Sequence, residues 1–196
     1  MGMVIADLSI TLDGYAAGPN QRLEKPFGDV DDERLHRWMF EHGDDNSAEV
    51  AALTDADAYV MGRNMFGPGR GDWDPDWHGW WGEEPPYHAP VFVLTHYKRA
   101  PLAMKGGTTF TFVTDGIRSA LEHAQDAARN GTVAIAGGAM TLNQYLAAGC
   151  IDVLRLHVVP FTAGAGSRLF EGVPPINLEV VSARHTPHVT HLTYRR

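Results

Sequence analysis

Strand-like and helix-like segments alternate along most of this 196-residue chain. Apolar runs typical of buried strands occupy residues 3–12, 58–62, 91–95, 109–114, 132–136 and 152–161. Helical spacing of apolar residues occupies residues 31–43, 46–56, 116–130 and 139–148. This order predicts an α/β fold with a mostly parallel, twisted sheet between layers of helices. The last two runs, 176–185 and 188–196, have no helix between them and predict a C-terminal antiparallel hairpin.

Length and composition restrict the class of protein. A chain of 196 residues with 44% hydrophobic residues is long enough for one sizeable core, so we expect a single domain over residues 1–196. The net charge of -8 argues against a nucleic-acid partner, which requires clustered Lys and Arg. No apolar run has membrane-spanning length, the N-terminus lacks a signal-like region, and Cys150 is the only cysteine. We therefore expect a cytoplasmic protein with no membrane partner.

Two consecutive glycines, Gly137 and Gly138, separate a predicted strand from a predicted helix. Glycine pairs are found where a side chain would collide with a neighbour or where the backbone needs unusual dihedral angles. The free amides of the helix that follows are a natural site for a phosphate group. The pattern is not the GxGxxG fingerprint of dinucleotide-binding proteins, and a tight turn without a ligand is the alternative.

Four segments together resemble the dihydrofolate reductase superfamily, especially its branch with the reductase domain of bacterial riboflavin biosynthesis and its stand-alone relatives. The segments are SITLDGYAAGPN (9–20), DAYVMGRNMF (57–66), AIAGGAMTLNQYLAAGCID (134–152) and LRLHVVPFTAGAGSRLF (154–170). Their order and spacing cover nearly the whole chain. The resemblance implies a dihydrofolate reductase-like fold and an NADPH site across the carboxyl ends of the sheet strands.

The resemblance assigns a set of cofactor-binding residues: Gly62, Arg63, Thr95, His96, Thr114, Gly137, Gly138, Ala139, Met140 and Thr141. The amides of Ala139, Met140 and Thr141 would face the pyrophosphate. Arg63 begins a helical turn after a strand, so a guanidinium would lie beside a second anion-facing terminus, unless it is only a surface arginine. His96 stands where an arginine is expected, which leaves the preference for NADPH over NADH open. Thr114 could flank the adenine or, equally, Thr114 or Asp115 could cap a helix.

Asp13 is the candidate catalytic residue, because it follows the first strand beside the expected nicotinamide and substrate space. A carboxylate there could orient a heterocycle or relay a proton, although an aspartate in a D-G turn has a structural explanation as well. The resemblance also implies substrate contacts at Ala6, Tyr15, His36 and Trp38. For Trp38 a core position is the favoured interpretation, since one side of its helix must pack on the sheet. No acid of this helix matches the substrate carboxylate of dihydrofolate reductases.

Two further patterns stand outside the resemblance. Residues 71–88 contain four of the five tryptophans in a loop, whose rings could cover the active site, a subunit partner or the back of the fold. His185, His188 and His191 have a spacing that alternates faces along a strand, with Pro187 between them, so we expect no metal site.

The leading hypothesis from the sequence is an NADPH-dependent reductase that transfers hydride to a C=N or C=O bond of a small, heterocyclic substrate of pterin or pyrimidine type. The alternatives are a nucleotide-binding protein without efficient catalysis and a reductase that uses a flavin or deazaflavin cofactor. The related riboflavin-pathway reductases also imply a homodimer.

Overall fold

The computed structural model of the protein describes residues 2–67 and 69–196. The strands are β1 (Val4–Thr11), β2 (Tyr15–Ala17), β3 (Ala58–Gly62), β4 (Pro90–Leu94), β5 (Leu102–Ala103), β6 (Thr109–Val113), β7 (Val133–Gly137), β8 (Val153–Val159), β9 (Ser167–Arg168), β10 (Glu179–Thr186) and β11 (Val189–Arg195). The α-helices are α1 (Asp32–Phe40), α2 (Ser47–Ala52), α3 (Arg63–Phe66), α4 (Ile117–Ala128) and α5 (Ala139–Ala147), and two 3-10 turns lie at Asp44–Asn46 and Lys105–Gly107.

In the described part of the chain, nine strands form one sheet in the order β10-β11-β8-β1-β7-β3-β4-β6-β5. The six strands from β8 to β6 in this order are parallel, whereas β5, β10 and β11 are antiparallel to their neighbours. This confirms the predicted α/β fold and its C-terminal antiparallel hairpin. Strands β2 and β9 form a separate antiparallel ribbon that the sequence did not predict, because two or three residues carry no periodicity.

Helices α4 and α5 cover one face of the sheet. Their apolar residues are packed in one cluster with side chains from the central strands, among them Ala120, Leu121, Ala124, Leu142, Leu146, Val60 and Ile135. The opposite face carries α1, α3 and the tryptophan-rich segment 71–88 in two further clusters. The helices on both faces give the predicted three-layer architecture.

The tryptophan-rich segment 71–88 packs on the sheet. Trp73, Trp77 and Trp81 are partly buried against Phe66 and Phe110. The indole of Trp81 stacks on Phe110 at 5.7 Å between ring centroids, and the indole N–H of Trp77 donates to the Phe66 carbonyl at 2.8 Å. Of the three coverings considered from the sequence, these contacts favour the sheet face for Trp77 and Trp81, whereas Trp73 also lies against the guanidinium of Arg63.

The three spaced histidines have different environments. His185 is exposed on β10, His188 stacks on His42 with ring centroids 4.1 Å apart, and His191 is buried. Residues 2–67 and 69–196 contain no group of three or more His, Cys, Asp or Glu side chains that could hold a metal ion. No helix within these residues is both long enough and apolar enough to cross a bilayer.

Candidate functional site

Two strand ends meet at the carboxyl edge of the sheet. Strands β3 and β7 are parallel neighbours with Met61 opposite Gly137, and each is followed at once by a helix. Gly62 precedes α3, and Gly138 precedes α5. A Cβ atom on residue 62 would collide with the hydroxyl of Thr141. The structure therefore brings together the two segments that the sequence assigned to one phosphate-binding region.

The two glycines of the β7–α5 turn have different roles. Gly137 has a φ angle of +121°, which side chains other than glycine rarely adopt, and a Cβ there would lie 3.4 Å from the sulfur of Met65. Gly138 has an extended backbone that any residue can adopt, and a Cβ on it would meet no atom of residues 2–67 and 69–196 within 4 Å. The peptide bond between them is cis. The backbone thus requires glycine at 137, whereas residue 138 borders open space.

The first turn of α5 offers two backbone amides beside this open space. The amides of Ala139 and Met140 have no acceptor within the helix, because the first residues of any helix lack one. The Thr141 amide donates to the Gly138 carbonyl at 3.0 Å. Of the three amides expected to face the pyrophosphate, that of Thr141 is thus engaged inside the first turn, and the Thr141 hydroxyl lies over Gly62.

The guanidinium of Arg63 is held between two aromatic rings. It lies 3.9 Å from the ring centroid of Trp73 and 5.1 Å from that of Tyr97. Its Nε donates to the Gly69 carbonyl at 2.9 Å, and its Nη1 lies 3.5 Å from the hydroxyl of Thr95. Burial lowers the pKa of Arg63, but an arginine stays charged at neutral pH. Helix α3 has four residues, so the second anion-facing helix terminus expected from the sequence consists of a single turn and the Arg63 side chain.

The residues assigned to the adenosine end lie after β4 and β6, which are parallel neighbours. The hydroxyl of Thr95 accepts the Tyr97 amide at 3.1 Å, and His96 is exposed on the same turn. Thr114 is half-buried, and its hydroxyl lies 3.3 Å from Asp115 Oδ1. Gly116 caps α4, so the alternative of a helix cap at Thr114 or Asp115 is wrong.

Asp13 fixes the loop that contains Ala163 and Gly164. Its carboxylate accepts hydrogen bonds from the Thr11 hydroxyl at 2.5 Å, the Ala163 amide at 3.0 Å and the Gly164 amide at 2.8 Å. Desolvation acts to raise the pKa of Asp13, but these hydrogen bonds to the ionised form outweigh it and lower the pKa to about 2. A carboxyl group that is ionised at neutral pH and occupied on both oxygens is poorly suited to give a proton. The geometry favours a structural role for Asp13 over the catalytic one.

Two of the four residues assigned to the substrate lie inside the protein. Ala6 is fully buried in the cluster beneath α4 and α5. Trp38 is 1% exposed, and its indole N–H donates to the Ser9 hydroxyl at 3.1 Å while its ring lies against His157 at 4.4 Å. The expected substrate contacts are therefore wrong for the side chains of Ala6 and Trp38, and the core interpretation of Trp38 is confirmed.

Tyr15 and His36 remain partly accessible. The Tyr15 amide donates to the Thr11 hydroxyl at 3.0 Å, which places the tyrosine at the loop held by Asp13. His36 lies on α1 with its ring 4.4 Å from that of Phe27, and burial lowers the pKa of His36. The two acidic residues of the first turn of α1 are exposed, so neither supplies a carboxylate to the buried face of this helix.

Asn143 is a site-supporting residue that the sequence reasoning missed. Its side chain, 8% exposed on α5, donates to the Arg168 carbonyl at 2.9 Å and accepts the Phe170 amide at 2.8 Å. The Arg168 Nε in turn donates to the Asp13 carbonyl at 3.2 Å. The signal was an asparagine inside an apolar helix, since a buried amide side chain needs hydrogen-bond partners.

Comparisons with known proteins agree with this architecture. The chain is 27% identical over 188 residues to the uncharacterized protein YyaP of Bacillus subtilis (strain 168), an alignment that covers 92% of this chain and 87% of that protein. The crystal structure of a putative riboflavin biosynthesis protein from Shewanella sp. PV-4 superposes with a TM-score of 0.66 at 23% identity, covering 99% of this chain and 98% of that one.

A dihydrofolate reductase from Enterococcus faecalis complexed with NADP(H) superposes with a TM-score of 0.55 at 17% identity, covering 100% of this chain and 96% of that one. At these identities the superpositions show the fold. The sequence model of the RibD C-terminal domain matches residues 2–192. The chain therefore belongs to the RibD C-terminal domain family and has a dihydrofolate reductase-like fold.

Proposed function

We propose that the protein is an NADPH-dependent reductase that transfers hydride to a C=N or C=O bond of a small heterocycle of pterin or pyrimidine type. The observation that carries the proposal is the open space at Gly138 beside the free amides of Ala139 and Met140. The backbone angles require glycine at position 137, whereas those at position 138 are accessible to any residue. A ligand that lies against the backbone gives a reason for the second glycine.

The residues of the site fit a dinucleotide phosphate. The amides of Ala139 and Met140, at the positive end of the α5 dipole, would bind the pyrophosphate. Arg63, fixed by Trp73, and the hydroxyl of Thr95 would bind a phosphate at the adenosine end. The dihydrofolate reductase fold neighbour is described as a complex with NADP(H), which supports this choice of cofactor. The bound cofactor would supply the hydride, and the protein would orient it against the substrate.

Reduction of a C=N or C=O bond adds one proton together with the hydride. Asp13 is not our candidate for the donor, because its pKa is lowered to about 2 and the loop amides occupy its carboxylate. We assign the proton to solvent water and give Asp13 a positioning role through the loop it holds. Tyr15 and His36, which keep partial exposure, are the side chains of the set that would contact the substrate.

A nucleotide-binding protein without efficient catalysis is the second candidate. Two observations favour it: Asp13 is committed to loop contacts, and the first-turn acids of α1 are exposed. This candidate predicts cofactor binding without turnover. A flavin or deazaflavin cofactor would use the same amides, so binding measurements have to include one.

We also propose a homodimer formed through the free edge of the sheet. Strand β10 pairs only with β11 within the described residues, and Val180 and Val181 on it are 63% and 50% exposed. An exposed strand edge with apolar side chains is a ready template for pairing with a second copy.

The decisive experiment is a titration of the purified protein with NADPH, NADH and FMN, in which tryptophan fluorescence measures binding. Trp73 contacts Arg63, so its emission reports on the proposed phosphate site. We expect saturable binding of NADPH, then oxidation of NADPH with dihydrofolate or with the ribosylamino-pyrimidine of riboflavin synthesis as substrate. Binding of FMN alone would replace the cofactor in the proposal, and NADPH binding without turnover on a broad carbonyl and imine panel would favour the second candidate.

A matched pair of variants tests the Gly138 site itself. Gly138→Val adds a side chain in open space, so the protein should fold while losing at least tenfold in NADPH affinity. Ala147→Val adds the same methyl groups at the exposed far end of α5 and should bind like the parent. Normal NADPH affinity in a folded Gly138→Val protein would remove the site from the proposal.

A further inference from the structure

A buried row of polar side chains crosses the sheet face beneath α1 and α2, away from the carboxyl edge. It runs from Asp7 on β1 to His157 on β8, His191 on β11 and Asn46 before α2. The side chains of Asp7 and His157 are 8% and 3% exposed. The proposed reductase function uses none of these four residues.

The orientation of Asn46 is fixed by its neighbours. Its Nδ2 donates to the carbonyls of Trp38 at 3.0 Å and His42 at 2.7 Å, so its Oδ1 must point the other way. That oxygen accepts from Arg184 at 3.3 Å and faces Nε2 of His191 at 2.9 Å. Because an amide oxygen only accepts, His191 carries its proton on Nε2.

The proton on His191 determines the state of His157. Burial and the nearby His157 lower the pKa of His191 to about 4, so His191 is neutral near pH 7 and its Nδ1 is bare. The Nδ1 atoms of the two rings are 2.7 Å apart, which requires His157 to donate from its Nδ1. A neutral His157 would then present a bare Nε2 to the carboxylate of Asp7.

With both residues in these states, no hydrogen lies between His157 Nε2 and Asp7 Oδ1. His157 Nε2 and Asp7 Oδ1 lie 3.5 Å apart, and neither atom has a hydrogen-bond partner among the described residues. Two lone pairs facing each other in a buried place are unfavourable, and one added proton turns the pair into a charge-assisted hydrogen bond. The face of the Trp38 ring, 4.4 Å from that of His157, further favours a cation there.

We propose that the Asp7–His157 pair takes up one proton from solvent as the pH falls and that this proton joins strands β1 and β8 beneath the Trp38 ring of α1. The proton would rest between Oδ1 of Asp7 and Nε2 of His157. A cleft of about 290 Å³, lined by both residues and by α2, adjoins the pair. The row thus contains a pH-sensitive link between strands β1 and β8.

The charges around the pair come from every packed element. The groups are Arg155 on β8, His191 on β11, Glu49 on α2, Arg184 on β10 and the phenol of Tyr59 on β3, while α1 contributes the uncharged ring of Trp38. Glu49 and Arg184 form their own ion pair. Arg155 forms an ion pair with Asp7 Oδ2 at 3.4 Å.

Nuclear magnetic resonance of the unmodified protein tests the proton directly. Histidine ring ¹⁵N shifts and the Asp7 carboxyl ¹³C shift are followed from pH 5 to pH 9. We expect His191 to be neutral with its proton on Nε2, and one added proton on the Asp7–His157 pair at pH 6 that is released as the pH rises. A bare His157 Nε2 beside an ionised Asp7 at pH 6 would overturn the proposal.

The pH dependence of stability tests whether this proton stabilises the folded protein. If the folded protein keeps a proton that an unfolded histidine releases near pH 6.5, the unfolding constant rises by up to about tenfold per pH unit above that value. Asp7→Asn replaces the proton with an amide donor and should abolish this dependence, whereas His188→Gln, a histidine outside the row, should retain it. Equal pH slopes for the parent and a folded Asp7→Asn protein would overturn the proposal. If that variant does not fold, the resonance experiment on the parent decides.

Discussion

Asn143→Ala should destabilise the protein by about 2 kcal/mol. The side chain makes two hydrogen bonds to the backbone of Arg168 and Phe170, and it is 8% exposed. Each hydrogen bond contributes about 1 kcal/mol net, and a buried group left unpaired costs about 1–3 kcal/mol. Because Arg168 and Phe170 are themselves exposed, water can reach the freed groups, and the lower value applies to each.

Urea unfolding at equilibrium measures this loss. A change of about 2 kcal/mol raises the unfolding constant about 30-fold, and with a slope of about 2 kcal/mol per molar it lowers the urea midpoint by about 1 M. Hydrogen exchange gives a local readout, since the Phe170 amide should lose its protection. Asn143→Asp keeps the acceptor for that amide, so the Phe170 amide should keep more of its protection than in Asn143→Ala.

The neighbouring residue provides the control. Gln144 is exposed on the same helix, and within the described part of the chain its side chain makes only one hydrogen bond, to the Met140 carbonyl at 3.2 Å. Gln144→Ala should therefore change stability by less than about 0.5 kcal/mol. If Asn143→Ala and Gln144→Ala have the same urea midpoint, the two loop contacts do not stabilise the fold and the reasoning fails.

Three further variants test the site, the loop and the assembly. Arg63→Ala should weaken NADPH binding by about 1 to 3 kcal/mol, more at low salt than at high salt, while Arg118→Ala on the exposed face of α4 leaves it unchanged in the same titration. Asp13→Asn should lower the free energy of unfolding above about pH 4. Because the pKa of Asp13 in the folded protein is about 2, the parent should lose this advantage between pH 4 and 2. An equal difference in unfolding free energy between the two proteins at pH 2 would contradict the structural role of Asp13. Val180→Lys should convert a dimer to a monomer in light scattering, because a lysine opposes strand pairing, and a parent that is already monomeric would refute the homodimer.

The regular part of the fold follows from local patterns. The buried strands β3, β4 and β7 are apolar along their whole length, and α4 has an apolar stripe at helical spacing. Such patterns depend only on residues close in sequence, so the sequence predicts these elements and the parallel direction of the strands. The ribbon of β2 and β9 could not be predicted, because its pairing joins short segments about 150 residues apart.

The glycines of the candidate site were predictable for a similar reason. Glycines after a strand and before a helix limit which backbone can follow, and this local rule led to Gly62, Gly137 and Gly138. Only the structure separated Gly137, whose φ of +121° requires glycine, from Gly138, whose missing side chain leaves space. That distinction depends on what lies opposite each Cβ position.

The roles of polar side chains were decided by tertiary structure. Asp13 has the same sequence context whether it contacts substrate or a distant loop, and only the fold brings the amides of Ala163 and Gly164 to its carboxylate. Trp38 likewise becomes a core residue through Ser9 and His157, which lie far from it in sequence. A sequence determines periodicity and backbone freedom locally, whereas the charge, burial and partners of a side chain depend on contacts made across the chain.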